Sequence, residues 1–307
     1  MSFESEFNND AEKETKRYEE LKTGFGVALC TKQKEGGTSA LEAQTILAEK
    51  LNLPAVQFDF RNRTDTEIQE SKNVLIDYRE THESTAISIH GETPKIDEVS
   101  LDFKNKERVL MELDLLQRLS GESFTVHPPS INLKKFNSLP GDLRDTILQN
   151  YSNIFVQPIM ESVAKKQRFS IGIENMPKKG ENGSWGQEIG DLLMLLRKIE
   201  QILVDKGLEL EVAHQYVGAT LDINHALHGA DVKDYKRVLE EWFKGLGDYL
   251  KVVHLYTPSS VGEEFNEKYK ISLKLASQFN PNARLFMESK QSPDITERLY
   301  DAVKNVR

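Results

Sequence analysis

Six short apolar segments of the sequence each end in a side chain that can bind a metal ion. In chain order these side chains are His90, His127, Glu174, Asp222, His254 and Glu288. One such residue alone is more often a strand cap or a buried polar group, but six at equivalent positions favour a shared site. Histidine nitrogen and carboxylate oxygen suit zinc, manganese or another first-row divalent ion. The pattern therefore predicts a centre for one or two divalent ions.

The ligands of this centre must be histidines and carboxylates, because Cys30 is the only cysteine in the chain. A thiolate cluster and an intramolecular disulfide are both excluded. Without thiolates, the ligand types do not distinguish zinc from manganese. His225 joins the three histidines already named, because it closely follows a segment end. The other histidines, which we expect to be surface or packing residues, are His82, His214 and His228.

The segments that carry these residues are predicted to be β-strands, because they are short and rich in β-branched and aromatic side chains. Eight such segments lie at 25–30, 55–60, 85–90, 123–127, 169–174, 218–222, 250–255 and 284–288. Stretches of helical period lie at 39–51, 66–81, 104–120, 141–166, 187–205, 231–243, 263–279 and 294–306. This alternation predicts an α/β fold, a single (βα)8 TIM barrel over residues 23–307, with about 36 residues per unit. An open, doubly wound sheet alternates in the same way, but the count of eight and the polar strand ends favour closure.

Composition and charge limit the class of protein further. The 307 residues carry 40 Lys and Arg against 49 Asp and Glu, and the net charge of -9 argues against a generally basic surface for nucleic acid. The sequence has no run of roughly 18 apolar residues, so no membrane span is predicted. Residues 1–22 are predicted to be a charged N-terminal extension. They lack the apolar stretch of a secretory signal, which favours the cytoplasm.

Six motifs at the predicted strand ends carry a family resemblance. They are Ser88-Ile-His-Gly91, Val126-His-Pro-Pro129, Ile173-Glu-Asn-Met-Pro177, Leu221-Asp-Ile-Asn-His-Ala226, Val253-His-Leu255 and Phe286-Met-Glu288. Their order and spacing are more specific than any single motif. The chain resembles the xylose isomerase-like barrel superfamily, which contains sugar isomerases and epimerases and also endonuclease IV (AP endonuclease family 2). In both branches the resemblance implies a metal ion held by Glu174, Asp222, His254 and Glu288.

In the isomerase and epimerase branch, the resemblance implies that Glu174 and Glu288 move a proton on and off carbon through a metal-stabilised enediolate. The partner would be a small sugar or sugar phosphate, and a homo-oligomer is expected because family members often form dimers or tetramers. The candidate substrate-binding residues are His225, Arg61, Trp185 and Lys290. The histidine would contact a hydroxyl, and the two basic residues follow strand ends where they could bind a phosphate. The tryptophan lies in a loop at 178–186 that is flexible by composition and could cover the substrate.

In the endonuclease IV branch, the resemblance implies three zinc ions acting on a DNA phosphate. His90 and His127 would share Glu174 in a second metal site. The third zinc site would need His225 together with an Asp-x-His pair between strands seven and eight. Residues 255–287 contain neither aspartate nor histidine, so this third site is not predicted. Paired histidines on strands three and four also occur in sugar-isomerase-like members, where they line the substrate pocket, so they do not distinguish the branches.

We therefore favour a divalent-metal-dependent isomerase or epimerase, with zinc or manganese as the ion. The alternative is an endonuclease IV-like phosphodiesterase that acts on abasic DNA, and its missing third zinc site makes nucleic acid the less favoured partner. A barrel that binds metal but has lost its reaction is a third hypothesis. The retained set of four ligands argues against that one.

Overall fold

Eight parallel β-strands form a closed barrel in which neighbours in space are also neighbours in sequence. The computed structural model describes residues 26–29, 40–61, 63–97, 99–256, 263–289, 296–298 and 300–301. The strands are β1 (Gly26–Leu29), β2 (Ala55–Asp59), β3 (Ala86–His90), β4 (Ser123–Val126), β5 (Ser170–Glu174), β6 (Val217–Asp222), β7 (Leu250–Tyr256) and β8 (Arg284–Ser289). The predicted (βα)8 barrel is confirmed. The predicted extension at 1–22 lies outside the described residues.

Helices connect the strands and cover the outside of the barrel. Their bounds are α1 (Ala40–Leu51), α2 (Asp65–Thr81), α3 (Lys106–Arg118), α4 (Leu133–Ser138), α5 (Gly141–Ala164), α6 (Ile189–Asp205), α7 (Leu210–Tyr216), α8 (Ile223–Ala226), α9 (Tyr235–Leu246) and α10 (Glu263–Phe279). The short helices α4, α7 and α8 were not predicted, because one or two turns carry no clear helical period. Among the described residues, none of the helices combines the length and the apolar character needed to cross a membrane.

The barrel interior is built in layers, because alternate residues of each strand point inward. One layer is joined by hydrogen bonds from Gln57 Nε2 to Thr125 Oγ1 at 3.1 Å and between the hydroxyls of Thr125 and Thr220 at 3.0 Å. Gly172 leaves room for this layer, since a Cβ atom there would lie 2.4 Å from Thr220 Oγ1. Two residues further along β2 to β8, the next inward-facing positions are the polar strand ends. The alternation therefore directs those side chains to one mouth of the barrel.

A buried ion pair on α3 supports the loops that follow β2 and β3. Glu112 is fully buried, and it accepts hydrogen bonds from Arg108 Nε at 2.5 Å and from the Glu92 amide at 2.9 Å. Arg108 also donates to the carbonyl oxygen of Phe60 at 3.2 Å. Burial raises the pKa of Glu112 to about 7, although Arg108 and the Glu92 amide oppose the shift. The pair thus links the two loops. Ionisation of its carboxyl group is costly because the group is buried.

The raised pKa of Glu112 predicts a pH-dependent stability. A carboxyl group with a higher pKa in the folded state stabilises the fold fully below its unfolded pKa of 4.5, and this contribution is lost as the pH rises through about 7. We expect the free energy of unfolding to fall by about 3 kcal/mol over that interval on account of Glu112 alone. Denaturant unfolding of Glu112→Gln between about pH 5 and about pH 8 should show a shallower decline than the wild type.

The matched control for this measurement is Glu107→Gln, which removes an exposed carboxylate from the same helix. This variant should keep the pH slope of the wild type. Equal slopes for the wild type and Glu112→Gln would contradict the prediction.

Candidate metal centre

The carboxyl ends of the strands bring the six predicted side chains into one layer together with a seventh, Asp59. In the strand register Asp59 lies opposite His90, and Asp222 lies opposite His254. Six of the seven are buried, and the side chain of His127 is 14% exposed. The strand ends therefore form a densely charged, largely desolvated cluster at the mouth of the barrel.

Glu174 lies at the centre of the cluster, surrounded by ring nitrogens. Its Oε2 atom is 3.1 Å from His90 Nε2, 3.5 Å from His254 Nδ1 and 3.7 Å from His127 Nε2. Its Oε1 atom is 3.5 Å from His225 Nδ1. Four histidines from four different strands or loops thus converge on one carboxylate.

Most polar atoms of this core make no hydrogen bond within the described part of the chain. They are both ring nitrogens of His90 and of His254, Nε2 of His127 and both carboxylate oxygens of Glu174. The close contacts around Glu174 lack the alignment of hydrogen bonds. Buried polar atoms without partners are costly, by roughly 1–3 kcal/mol each. A divalent cation would bind these donor atoms directly, so the residues fit a metal ion.

The described side chains form three overlapping triplets whose ligand atoms lie within 4.8 Å of one another. The first contains His90, Glu174 and His254, and the second contains Glu174, Asp222 and His225. The third contains Asp222, His254 and Glu288. Asp222 and His254 each share one triplet with Glu174 and another with Glu288. These two residues therefore connect the two glutamates, and all four predicted metal ligands belong to one continuous cluster.

The protonation states of Glu174 and His90 suit metal binding. Burial alone would raise the pKa of Glu174, but the adjoining rings of His90, His127 and His254 hold it well below its usual range. The pKa of His90 lies well below its usual range because burial, and then the positive charge of Arg61, disfavour the protonated ring. Ionised carboxylate and neutral imidazole are the forms that bind metal.

Like charges are crowded on the other side of the cluster. Burial, reinforced by the charges of Glu174 and Glu288, raises the pKa of Asp222. Burial alone would lower the pKa of His254, but the carboxylates of Glu174, Glu288 and Asp222 outweigh it and raise the pKa. Negative neighbours contribute to both shifts, and a bound cation would relieve their mutual repulsion.

His225 is oriented by the backbone of the neighbouring strand. Its Nδ1 atom lies 2.8 Å from the carbonyl oxygen of Asn175, which can only accept, so Nδ1 carries the proton. Asn175 also accepts from the Asp222 amide at 2.6 Å and donates to the Asp222 carbonyl at 3.1 Å. In the neutral ring the lone pair is therefore on Nε2, 3.8 Å from Asp222 Oδ2. The sequence did not predict a role for Asn175, because an amide side chain that hydrogen-bonds to backbone atoms of another strand has no recognisable sequence pattern.

His127 is held by residues from two distant parts of the chain. The hydroxyl of Thr93 lies 2.7 Å from Nδ1 of His127, and the Tyr151 hydroxyl donates to the His127 carbonyl at 2.7 Å. Asn105 in turn holds Thr93 by donating to its carbonyl oxygen at 2.8 Å. The Thr93 contact leaves Nε2 of His127 facing Glu174, as expected for a ligand oriented by an outer hydrogen bond.

The predicted substrate-binding residues other than His225 lie in different surroundings. Arg61 reaches into the mouth, where its guanidinium contacts the carboxylates of Asp59 and Glu288. Trp185 is 2% exposed and packs on Phe136 with ring centroids 4.8 Å apart. Its contact with a substrate stays a prediction. Lys290 lies outside the described residues.

The loops that follow β4 and β5 are joined into one rim. Leu133 donates through its amide to the Gly183 carbonyl, and Trp185 donates to the Ile131 carbonyl, each at 2.9 Å. Gly186 has a φ angle of 98°, and a Cβ atom there would lie 2.5 Å from Pro128 Cγ, so glycine is needed at this contact. The glycine-rich composition predicted a flexible loop, whereas the described contacts fix it against its neighbour.

Solved structures of other proteins are similar in fold to this chain. No family model and no curated protein matches the chain. Endonuclease IV from Thermus thermophilus is 16% identical, with a TM-score of 0.55 over 91% of this chain and 98% of its own. D-psicose 3-epimerase from Clostridium cellulolyticum, with D-tagatose, is 9% identical, with a TM-score of 0.56 over 91% and 96%. A probable 3-DHS dehydratase from Bacillus anthracis is 11% identical, with a TM-score of 0.56 over 92% and 100%.

These structures confirm the resemblance predicted from the strand-end motifs. Both branches, endonuclease IV and the sugar epimerases, share the barrel with this chain over about nine-tenths of its length. All three matched proteins bear the names of enzymes. At these identities the similarity concerns the fold, so the choice between the branches depends on the side chains of the site.

Proposed function

We propose that this protein is a divalent-metal-dependent enzyme that isomerises or epimerises a sugar or sugar phosphate. The observation that supports this proposal best is the relation between Glu174 and Glu288. The two glutamates lie at the ends of strands β5 and β8, and each shares triplets with Asp222 and His254. Carboxylates on different walls of the mouth can approach one carbon from different faces, as removal and return of a proton require.

Glu174, Asp222, His254 and Glu288 would hold the ion. Two observations support this assignment. Buried atoms of Glu174 and His254 have no hydrogen-bond partner within the described part of the chain, and the carboxylates are crowded. A bound divalent cation supplies Lewis-acid stabilisation of the negative charge that develops on substrate oxygens. Three carboxylates and one imidazole leave the ion positions for two such oxygens, and zinc and manganese both suit this set.

The chain's own residues would divide the proton transfer between them. One glutamate, as a carboxylate, would take the proton from carbon. The other, as a carboxylic acid, would return a proton to the opposite face of that carbon in an epimerisation, or a proton would be returned to the neighbouring carbon in an isomerisation. A carboxylate must be ionised to take the proton, and the neighbouring histidine rings favour the ionised form of Glu174 by lowering its pKa. His225, which presents Nε2 toward the cluster, would contact a substrate hydroxyl. His90 and His127 would line the pocket or bind a second ion.

This proposal predicts solvent exchange at carbon. Metal-loaded protein in D2O should introduce deuterium into at least one member of a panel of ketoses and ketose phosphates, detected by mass spectrometry. Glu174→Gln and Glu288→Gln should each lower the exchange rate by about 10²–10⁴-fold, because a neutral amide cannot accept the proton. Glu122→Gln is the matched control, because Glu122 pairs with Arg284 at the amino end of the barrel, away from the mouth.

Absence of exchange across the whole panel would contradict the proposed reaction. Retained exchange in either mouth variant would contradict the role of that glutamate. A full load of metal without turnover of any substrate would instead favour the hypothesis of a metal-binding barrel without a reaction.

A second candidate function, hydrolysis of abasic DNA, is compatible with one feature of the site. His90, His127 and His225 all lie close to Glu174, which gives the site more nitrogen ligands than the four-residue set requires. A second ion held by His90, His127 and Glu174 would fit phosphodiester chemistry as well as sugar chemistry. Neither aspartate nor histidine occurs at 255–287, and this absence argues against a third zinc ion.

Metal analysis separates these candidates. We expect one or two divalent ions per chain by inductively coupled plasma mass spectrometry of metal-loaded protein. We also expect no incision of a duplex that carries an abasic site. Three zinc ions per chain, or chelator-sensitive incision, would overturn the isomerase and epimerase assignment in favour of the nuclease.

A further inference from the structure

We infer that Arg61 is a positioning residue that fixes Glu288 for metal binding, and that Asp59 anchors Arg61 in this role. The inference rests on the proposed metal site and assigns a function to two residues outside the four-ligand set. Arg61 follows β2, whereas Glu288 belongs to β8, so the contact crosses the end of β1.

The guanidinium of Arg61 bridges two buried carboxylates. Its Nη2 atom lies 2.7 Å from Glu288 Oε1 and 3.2 Å from Asp59 Oδ2, and its Nε atom lies 2.8 Å from Asp59 Oδ1. The backbone amide of Arg61 also donates to Asp59 Oδ1, at 3.0 Å. The side chains of Arg61, Asp59 and Glu288 are only 14%, 8% and 3% exposed. Paired hydrogen bonds to a planar group fix its orientation, so Asp59 determines where the remaining donor points.

The position of β1 explains why such a bridge is needed. In the strand register Ala28 of β1 lies opposite Glu288, so the neighbouring strand offers an apolar methyl group at that level. Among the described residues of β1 no side chain is polar. Arg61 extends across this apolar level and supplies a charged partner to the buried carboxylate of Glu288.

The positioning role of Arg61 and its charge predict opposite changes in the affinity for a divalent cation when Arg61 is removed. The Arg61–Asp59 pair is neutral as a unit, so loss of the arginine leaves one more negative charge beside the ion. If charge alone mattered, Arg61→Gln would therefore bind a divalent cation more tightly. If Arg61 positions Glu288, the same variant would bind the cation more weakly, because the ligand loses its fixed geometry.

The test is titration of Mn²⁺ and of Zn²⁺ into metal-free protein by isothermal calorimetry. We expect Arg61→Gln and Asp59→Asn to bind the ion about 10–100-fold more weakly than the wild type. Arg61→Lys should give an intermediate loss, because an ammonium keeps the charge but not the fork that holds two carboxylates. The control is Arg118→Gln, which removes an arginine paired with Asp114 at 2.7 Å on the exposed face of α3 and should bind like the wild type.

Thermal unfolding of the metal-free proteins shows whether each variant is folded. Should Arg61→Gln fail to fold, the comparison of Arg61→Lys with the wild type decides, because weaker binding is expected there as well. Unchanged or tighter binding in the folded arginine variants would overturn the inference and leave the proposed function intact. Absence of any binding by the wild-type protein would overturn the metal site itself, and this inference with it.

Discussion

The site is organised around the burial of one negative charge. Glu174 is fully buried at the mouth of the barrel, and neither of its oxygens makes a hydrogen bond in the described part of the chain. A carboxylate can be kept there only by positive or polarisable neighbours. Four histidines approach it, and residues behind two of them, Thr93 and Asn175, fix the rings. Much of the structure around the mouth can be understood as support for this one carboxylate.

The alternation of inward and outward side chains along the strands makes that arrangement possible, although the strands differ in sequence. From β2 to β8, each strand or the residue that directly follows it contributes one inward side chain to the mouth and, two positions earlier, one to the layer beneath it. In the lower layer, Gln57 Nε2 and the hydroxyls of Thr125 and Thr220 hydrogen-bond within that layer and not to the carboxylates above. The inner layer of the barrel and the polar layer at its mouth can therefore be separate, although they lie only two residues apart along the same strand.

Sequence analysis identified the strands and the ligand types because both are expressed locally. The six strand-end residues stand at the boundary between an apolar run and a loop, a position that is visible without any structure. Asp59 was missed because the predicted strand extended to Phe60, which placed the aspartate inside it. Thr93 and Tyr151 support His127 across 34 and 24 residues, and such contacts depend on how loops fold back. Trp185 was assigned to a flexible loop because hydrogen bonds between two loops leave no sequence period.

The contacts that join the loops after β4 and β5 have a consequence for access to the mouth. Separating the two loops would break the amide bonds of Leu133 and Trp185 and remove Gly186 from Pro128. The loops begin next to His127 and Glu174, so one side of the mouth is held together by contacts between two loops. Separation of the loops would cost these contacts, so we expect a substrate to meet a wall of fixed shape on this side of the mouth.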